Sequence, residues 1–382
     1  MITTPAPPFQ LERLGIIMQP DPDDPRETWG VLNPGGTRGP DGAYYLFPRL
    51  VAEGNYSRVG RARVIFNDHG DPVDVERLGV VLEPREPYEV TRLGGGVEDP
   101  RVTYLRPLGL YVMSYTAYTS HRPRIALAVS RDLVAWHRLG PLRFVTRPDE
   151  HDLNTCANKD GLVFPDVVSD PHGRPSLAII HRPTLPAPEA NGGRGPGQSG
   201  RPLETIWISF SPLEGARADI HQLTHMHEHQ VLMGLAADWE NVKIGGGAPP
   251  VRLPYGWLLL YHGVSHGDGA GGTGKRYCAG AAVLALEDPT TILYRSPRPI
   301  LTPEAPQEIQ GLIPHVVFPT ATDLRADGRL DVYYGAADSV IGAARMSIPA
   351  QLPVPAEVPL RTVEGRMRPE ERDRDTDRHD DV

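Results

Sequence analysis

Residues 256–263 read GWLLLYHG, and residues 278–286 read CAGAAVLAL. Both are apolar runs of strand length without the 3.6-residue period of an amphipathic helix, and a polar residue, His262, stands near the end of the first. The same couplet occurs five times. The other first runs are AYYLFPR (43–49), GLYVMSYTAY (109–118), SLAIIHRP (176–183) and LDVYYGAAD (330–338). Their second runs are SRVGRARVIF (57–66), RIALAVS (124–130), TIWISFS (205–211) and IGAARMSI (341–348). The first runs begin at Ala43, Gly109, Ser176, Gly256 and Leu330, a spacing of about 65 to 80 residues, a little long for a four-stranded repeat. Short strands with turn signals at a fixed long period point to radial repetition, which leaves only short, protected sheet edges; the expected fold is an all-β, five-bladed β-propeller. A β-sandwich is the alternative. A (β/α)8 barrel is disfavoured, because no long helical period separates the runs.

Composition narrows the function classes. The chain has 382 residues, enough for one large all-β domain, with 40 glycines and 41 prolines that imply many turns and few helices. The net charge is −9, and no run of Lys or Arg is interleaved with aromatics, so no nucleic-acid partner is expected. The first residues, MITTPAPPFQLERLG, lack a basic start followed by a long apolar stretch, and no window reaches the length of a membrane span. A soluble, cytoplasmic protein without membrane partners is the expectation. Cys156 and Cys278 stand far apart and read as buried thiols.

If the repeats converge on one axis, polar residues at equivalent points share a central funnel. Arg49, Tyr118, Arg182, His262 and Asp338 end the first runs; segments read as loops ahead of those runs add Glu98, Asp99, Arg101, Asn158, Lys159, Asp160 and Lys243. Taken singly, such residues make rim salt bridges of little consequence. As a set, they aim unlike charges at one place. RLGGGVEDPRVTYL (92–105) is the most informative segment. Its glycines are no dinucleotide loop, since no strand-to-helix order surrounds them, and no GK[ST] follows for a Walker motif. It reads as a tight loop that presents an acid beside a permanent cation, with Gly94 to Gly96 allowing close backbone approach to substrate, Pro100 stiffening the turn and Arg101 fixing or tuning Asp99. Several cations and an acid in one funnel suit an anionic reactant next to a group that must be protonated, as in phosphorolysis of a glycoside.

GGVEDPRVTYL, NKDGLVFP, HRP, WENVKIGGGAPPV, GWLLLYHGV and VYYGAAD follow one another in an order that resembles the motif set of glycoside hydrolase family 130, the β-mannoside phosphorylases and related β-mannosidases, over residues 30–350. The resemblance implies a five-bladed propeller over residues 1–365. It implies an inverting phosphorylase that cleaves a β-mannoside with inorganic phosphate to give α-mannose 1-phosphate. The general acid is then Asp99, with Glu98 and Asp160 as alternatives, protonating the glycosidic oxygen through the sugar's 3-hydroxyl. Arg49, Lys159, Arg182, Lys243 and His262 correspond to the phosphate-binding cations. Glu98, Arg101, Asn158, Asp160, Tyr118, Tyr261 and Asp338 correspond to substrate-binding positions, Asp338 next to the bond broken. No cofactor or metal is implied; phosphate is a co-substrate. A hydrolase of the same fold and a non-catalytic carbohydrate-binding propeller are the alternatives.

Three segments depart from the family pattern. TLPAPEANGGRGPGQSGRPLE (184–204) reads as a flexible insertion that either caps the acceptor side or mediates contacts in a homo-oligomer; SHGDGAGGTGKR (265–276) is a second such loop. The tail RMRPEERDRDTDRHDDV (366–382) is expected to be disordered. In HMHEHQ (225–230), histidines at i and i+4 would share a helical face, but the segment is not HExxH and a surface or subsite loop is the preferred reading. Trp207, Trp239 and Trp257 lie in or beside apolar runs and are read as core rather than sugar platforms.

Overall fold

The computed structural model describes residues 8–90, 94–119, 122–147, 151–186, 203–266 and 274–353. The chain is all-β; its longest helix among these residues is Leu213–Ala218. Most of the 184–204 insertion, most of the 265–276 loop and the whole 366–382 tail lie outside the described residues. No described helix is long and apolar enough to cross a membrane.

The couplets found in the sequence are the middle strands of five four-stranded antiparallel units. Unit one comprises Gly30–Arg38, Tyr44–Ala52, Tyr56–Phe66 and Pro72–Leu82. Unit two comprises Gly95–Leu105, Leu110–Tyr118, Arg124–Ser130 and His137–Pro141. Unit three comprises Ala157–Val163, Pro175–Leu185, Ile206–Pro212 and His225–Met233. Unit four comprises Lys243–Gly246, Gly256–His266, Lys275–Leu284 and Ile292–Arg295. Unit five comprises Val317–Leu324, Arg329–Ala336 and Val340–Ser347, and its fourth strand is the N-terminal Leu11–Met18, paired with Val340–Ser347.

Successive side chains in a strand face opposite sides, so a strand buried on both faces needs a continuous apolar run. GWLLLYHG is such a strand. Leu258 and Leu260 enter a cluster shared with unit five, whereas Trp257, Leu259 and Tyr261 enter one shared with unit three. Units two and three share a third cluster around Leu127 and Ile179, units one and two another around Phe47 and Met113, and units five and one another around Leu46 and Tyr333. The first strand of unit one also packs against the first strands of units two and five, and that of unit three against those of units two and four.

Several segments read as loops are strands. Gly95–Leu105 is the first strand of unit two, and Asn158, Lys159 and Asp160 lie in the first strand of unit three, as Lys243 does in unit four. Glycines and a proline obscured them, because those residues serve bulges and close packing between units. Gly96 has φ +130, and a Cβ there would stand 2.3 Å from the Ser57 carbonyl oxygen. The glycines ahead of EDPR thus bring unit two against unit one, with parallel pairing of Tyr56 with Gly95 and Ser57 with Gly96. The atoms they approach are backbone atoms of Gly54 and Ser57 in unit one. HMHEHQ lies in the extended strand His225–Met233, which removes the helical premise of the metal reading, and among the described residues no three His, Cys, Asp or Glu are grouped to hold a metal. Cys156 and Cys278 are buried and free. Trp257 is buried, and Trp239 and Trp207 pack against the apolar clusters.

The N-terminal strand is tied to unit five by one buried carboxylate. Glu308 accepts from Arg13 at 2.8 and 2.9 Å, from the Tyr334 hydroxyl at 2.9 Å and from the backbone N–H groups of Glu304 and Ala305. Burial alone would raise its pKa, but these donors outweigh burial and hold it below the usual carboxylate range. A lowered folded pKa means stability that is present above the unfolded value near 4.3 and lost as the pH falls through the folded one. Glu308→Gln is expected to cost about 2–3 kcal/mol at pH 7, since Arg13 keeps some access to water. The gap between wild-type and variant urea midpoints should narrow as the pH is lowered below about 4; a gap independent of pH would refute the assignment.

Candidate active site

The first strands of units one, two and three each carry the same irregularity. In each, two residues occupy the space that one residue fills on the neighbouring strand: Asn33–Pro34 between the Leu32–Arg49 and Gly35–Phe47 pairs, Asp99–Pro100 between Glu98–Thr116 and Arg101–Ser114, and Asp160–Gly161 between Lys159–Arg182 and Leu162–Ile180. Asn33, Asp99 and Asp160 have φ of 44, 47 and 58, a left-handed conformation that Asn and Asp tolerate better than other side chains. Such a bulge re-aims one side chain out of the alternating pattern. Here all three re-aimed residues line one cavity of about 470 Å³.

Ten of the expected site residues line that cavity: Arg49, Glu98, Asp99, Tyr118, Lys159, Asp160, Arg182, Lys243, His262 and Asp338. Three do not. Tyr261 precedes His262 and so points to the opposite face, into the cluster with Trp239, and its hydroxyl accepts from Arg295 Nε at 3.2 Å. Asn158 precedes Lys159 and is likewise turned away; its side-chain amide lies 3.0 Å from His181 Nδ1, and it lines a separate cavity of about 290 Å³. Arg101 is buried beneath the site, donating to the Asp99 carbonyl at 2.7 Å and the Gly247 carbonyl at 2.6 Å while lying over the Phe318 ring. It fixes the backbone of the bulge, and its charge acts on Asp99 from below.

The cavity has two poles. At the first, Arg49 donates to Glu98 at 2.7 Å, Asp99 at 3.2 Å, Asn55 at 3.1 Å and Ser57 at 2.9 Å, and Asn33 Nδ2 donates to Asp99 at 2.9 Å. Burial works to raise the Asp99 pKa, but the charges of Arg49, Arg101 and Lys159 hold it below the usual carboxylate range. Asp338, also in left-handed backbone at φ 50, faces the same pole with no ion pair among the described residues, and burial pushes its pKa up to about 6. The pull of Arg49 opposes that rise; the negative charges of Asp99 and Glu98 add to it.

At the second pole, Arg182 Nε donates to Asp160 at 2.6 Å, and Glu204 pairs with Arg182 Nη1. Asp160 stays ionised because Arg182 and its neighbours overcome burial. His262 is buried between the Phe318 and Tyr277 rings, and burial lowers its pKa to about 3, so it is neutral at pH 7. Lys243 lies 5.4 Å from the Tyr277 ring centre; burial, with the charge of Arg182, lowers its pKa to about 8, which leaves it mostly protonated. Lys159 lies 3.7 Å from Glu98 and 4.9 Å from the Tyr118 ring centre. Gly245 makes the second pole possible, since a Cβ there would stand 2.2 Å from Asp160 Oδ2 and 2.5 Å from the His262 ring.

Asn33, Asn55, Glu204 and Tyr277 were not anticipated. LNPGG at 32–36 repeats the pattern of EDPR and KDGL, an Asn or Asp before Pro or Gly, and aligning the first strands would have exposed Asn33. Glu204 carried no such signal.

The family model for glycoside hydrolase 130, described as beta-1,4-mannooligosaccharide phosphorylase, matches residues 12–352. A 1,2-beta-oligomannan phosphorylase of Thermoanaerobacter sp. (strain X514) is 29% identical over 344 residues, 88% of this chain and 97% of the relative. A beta-1,4-mannooligosaccharide phosphorylase of Ruminococcus albus is 28% identical over 283 residues, 73% of this chain and 71% of the relative. Among solved structures, the Listeria innocua beta-1,2-mannobiose phosphorylase in complex with beta-1,2-mannobiose superposes with a TM-score of 0.65 at 24% identity, covering 87% of this chain and 94% of that one.

The raised pKa of Asp338 has a consequence for stability. Because the fold disfavours its charge, the protein loses stability relative to an Asn variant as the pH rises from the unfolded value near 4 through about 6. The stability of Asp338→Asn relative to wild type should rise by on the order of 1 kcal/mol between pH 5 and pH 8. A melting difference that is the same at both pH values would show that Asp338 titrates normally.

Proposed function

The chain belongs to glycoside hydrolase family 130, and on that premise we propose that it is an inverting phosphorylase, a glycosyl-transferring enzyme that moves a β-linked mannosyl group onto inorganic phosphate. The observation that carries this reading is the joining in one cavity of four cations, Arg49, Lys159, Arg182 and Lys243, with the bulge-mounted acid Asp99. The relatives named above are phosphorylases of β-1,2- or β-1,4-linked mannosides. The five units, with five apolar clusters running from each unit to the next and from the fifth back to the first, fit a five-bladed propeller around this cavity.

In this reading the terminal mannosyl unit lies between the poles. Arg49, fully engaged by Glu98 and Asp99, belongs with the acid and sugar rather than with phosphate. Phosphate sits at the second pole on Lys243, Lys159 and the outer edge of Arg182, with His262 as a neutral partner whose Nδ1 has no protein hydrogen bond among the described residues. A phosphate oxygen attacks C1 from the side opposite the acid, the bond from C1 to the glycosidic oxygen breaks, and the proton held by Asp99 passes to that oxygen, directly or through a sugar hydroxyl. Inversion yields α-mannose 1-phosphate and the shortened acceptor. The surrounding cations hold Asp99 ionised, and a bound phosphate dianion, by compensating them, raises its proton affinity at the moment a proton is needed.

Hydrolysis is the second reading, and one observation favours it: Glu204 sets a further carboxylate against Arg182 of the second pole, and an inverting hydrolase needs a second carboxylate as base. Incubation with β-1,2- and β-1,4-mannobiose, with and without phosphate, separates the two. Mannose 1-phosphate formed only with phosphate is the expected product; free mannose formed equally without phosphate would sink phosphorolysis. Under phosphorolysis, Glu204 competes with phosphate for Arg182, so Glu204→Gln should lower the KM for phosphate, whereas under hydrolysis it should abolish turnover.

Two further variants test the roles. Asp99→Asn keeps the shape but cannot deliver a proton, so kcat should fall by roughly two to four powers of ten in both directions while sugar affinity changes little. Near-normal turnover of this variant would move the acid elsewhere. Lys243→Met should raise the KM for phosphate by roughly 10- to 100-fold and leave that for the mannoside within a factor of a few; equal losses for both substrates would reject Lys243 as a phosphate ligand.

A further inference from the structure

The mouth of the cavity is apolar, unlike its floor. Trp29, Leu312 and Ile313 line it and are 39%, 52% and 44% exposed. Scattered exposed apolar residues need no explanation, but three around one opening that leads to a charged pocket form a built surface. Backbone bonds hold all three in place. The Trp29 N–H donates to the Val51 carbonyl at 2.9 Å, and the next residue, Gly30, donates to Glu27 at 3.0 Å. The Leu312 N–H donates to Ser339 Oγ at 2.9 Å, and the Ile313 N–H to the Ala337 carbonyl at 3.2 Å. Gly311 sits so close to this floor that a Cβ would come within 2.3 Å of the Ala337 carbonyl oxygen. The backbone of Leu312 and Ile313 is therefore fastened to the two residues that flank Asp338, and that of Trp29 to Val51.

We propose that Trp29, with Leu312 and Ile313, forms a saccharide platform that receives the C–H face of the sugar next along from the one held at the charged poles. A pyranose ring has polar edges and an apolar face, so it suits a flat aromatic wall above a polar floor, and Trp offers the largest such wall. The charged poles take the mannosyl unit and phosphate, which leaves the remainder of the chain, the acceptor, to pass the mouth. The platform favours β-linked mannooligosaccharides over mannosides with a small aglycone. This inference rests on the phosphorylase reading for its kinetic test but not for its binding test.

The kinetic test is the synthetic direction, with mannose 1-phosphate and β-mannobiose as acceptor. Trp29→Ala should raise the acceptor KM roughly tenfold and leave the KM for mannose 1-phosphate within about twofold, and Trp29→Phe should recover most of the loss. An unchanged acceptor KM, or equal rises for both substrates, would overturn the platform. If the wild-type protein turns over neither substrate, the phosphorylase reading fails and equilibrium titration decides the platform. Intrinsic tryptophan fluorescence of wild type should then shift with added β-mannotriose but not with mannose, and Trp29→Ala should lose that shift. No shift in wild type, or the same shift in the variant, would overturn it, as would an oligomer that dissociates on Trp29→Ala with sugar binding unchanged, which would make the rim a protein interface.

Discussion

The structure depends on one constraint: a carboxylate must be turned out of its strand into a cavity and kept there next to positive charge. A regular strand cannot do this at Asp99, because its side chains alternate between two apolar clusters that the sheets require. The two-for-one bulge at Asp99–Pro100 breaks the alternation for one residue, and Pro100 offers no N–H that would be stranded there. Arg101 then binds the bulge's own carbonyl, and Asn33, from an equivalent bulge in unit one, reaches across to the carboxylate. The acid is thus held by neighbours from two units. Moving either unit displaces it.

Gathering so many charges carries a desolvation cost that only pairing offsets, and the pairing divides the cavity. Arg49 is spent on Glu98 and Asp99, and Arg182 on Asp160 and Glu204, so the cations left with the fewest contacts are the two lysines. Asp338 is the group the arrangement leaves least compensated, and its raised pKa records that. A site balanced in this way is poised: a dianion entering near the lysines changes the proton affinity of every carboxylate in the pocket, without any movement of the backbone.

Glycine is the other recurrent device, and at Gly245 and Gly96 its role lies in packing. Gly245 lies against the side chains of Asp160, Arg182 and His262, and Gly96 against the backbone of Ser57. At both positions a side chain would separate one unit from the next and open the cavity. These two glycines are the footprint of first strands crowded together, where one unit touches the next.

The sequence by itself determined the all-β class, the count of five units and most of the charged set, because strands buried on both faces write uninterrupted apolar runs and charged residues at their ends stand out against them. GWLLLYHG and SLAIIHRP were legible for that reason. It left the first strands unread, since bulges, glycines and prolines at Asn33–Pro34, Asp99–Pro100 and Asp160–Gly161 look like loops when pairing is unknown. The tertiary structure alone decided which face each residue takes. Tyr261 and Asn158 fall one residue away from His262 and Lys159, and a period of two sends them into the opposite face, out of the cavity. Asn33, Glu204 and Trp29 came into view only when strands 66 or more residues apart in the chain, or the pairing of Glu204 with Thr184, brought them to Asp99, Arg182 and the cavity mouth. A linear pattern records what a residue needs from its own strand, and these positions depend on what the neighbouring strands present.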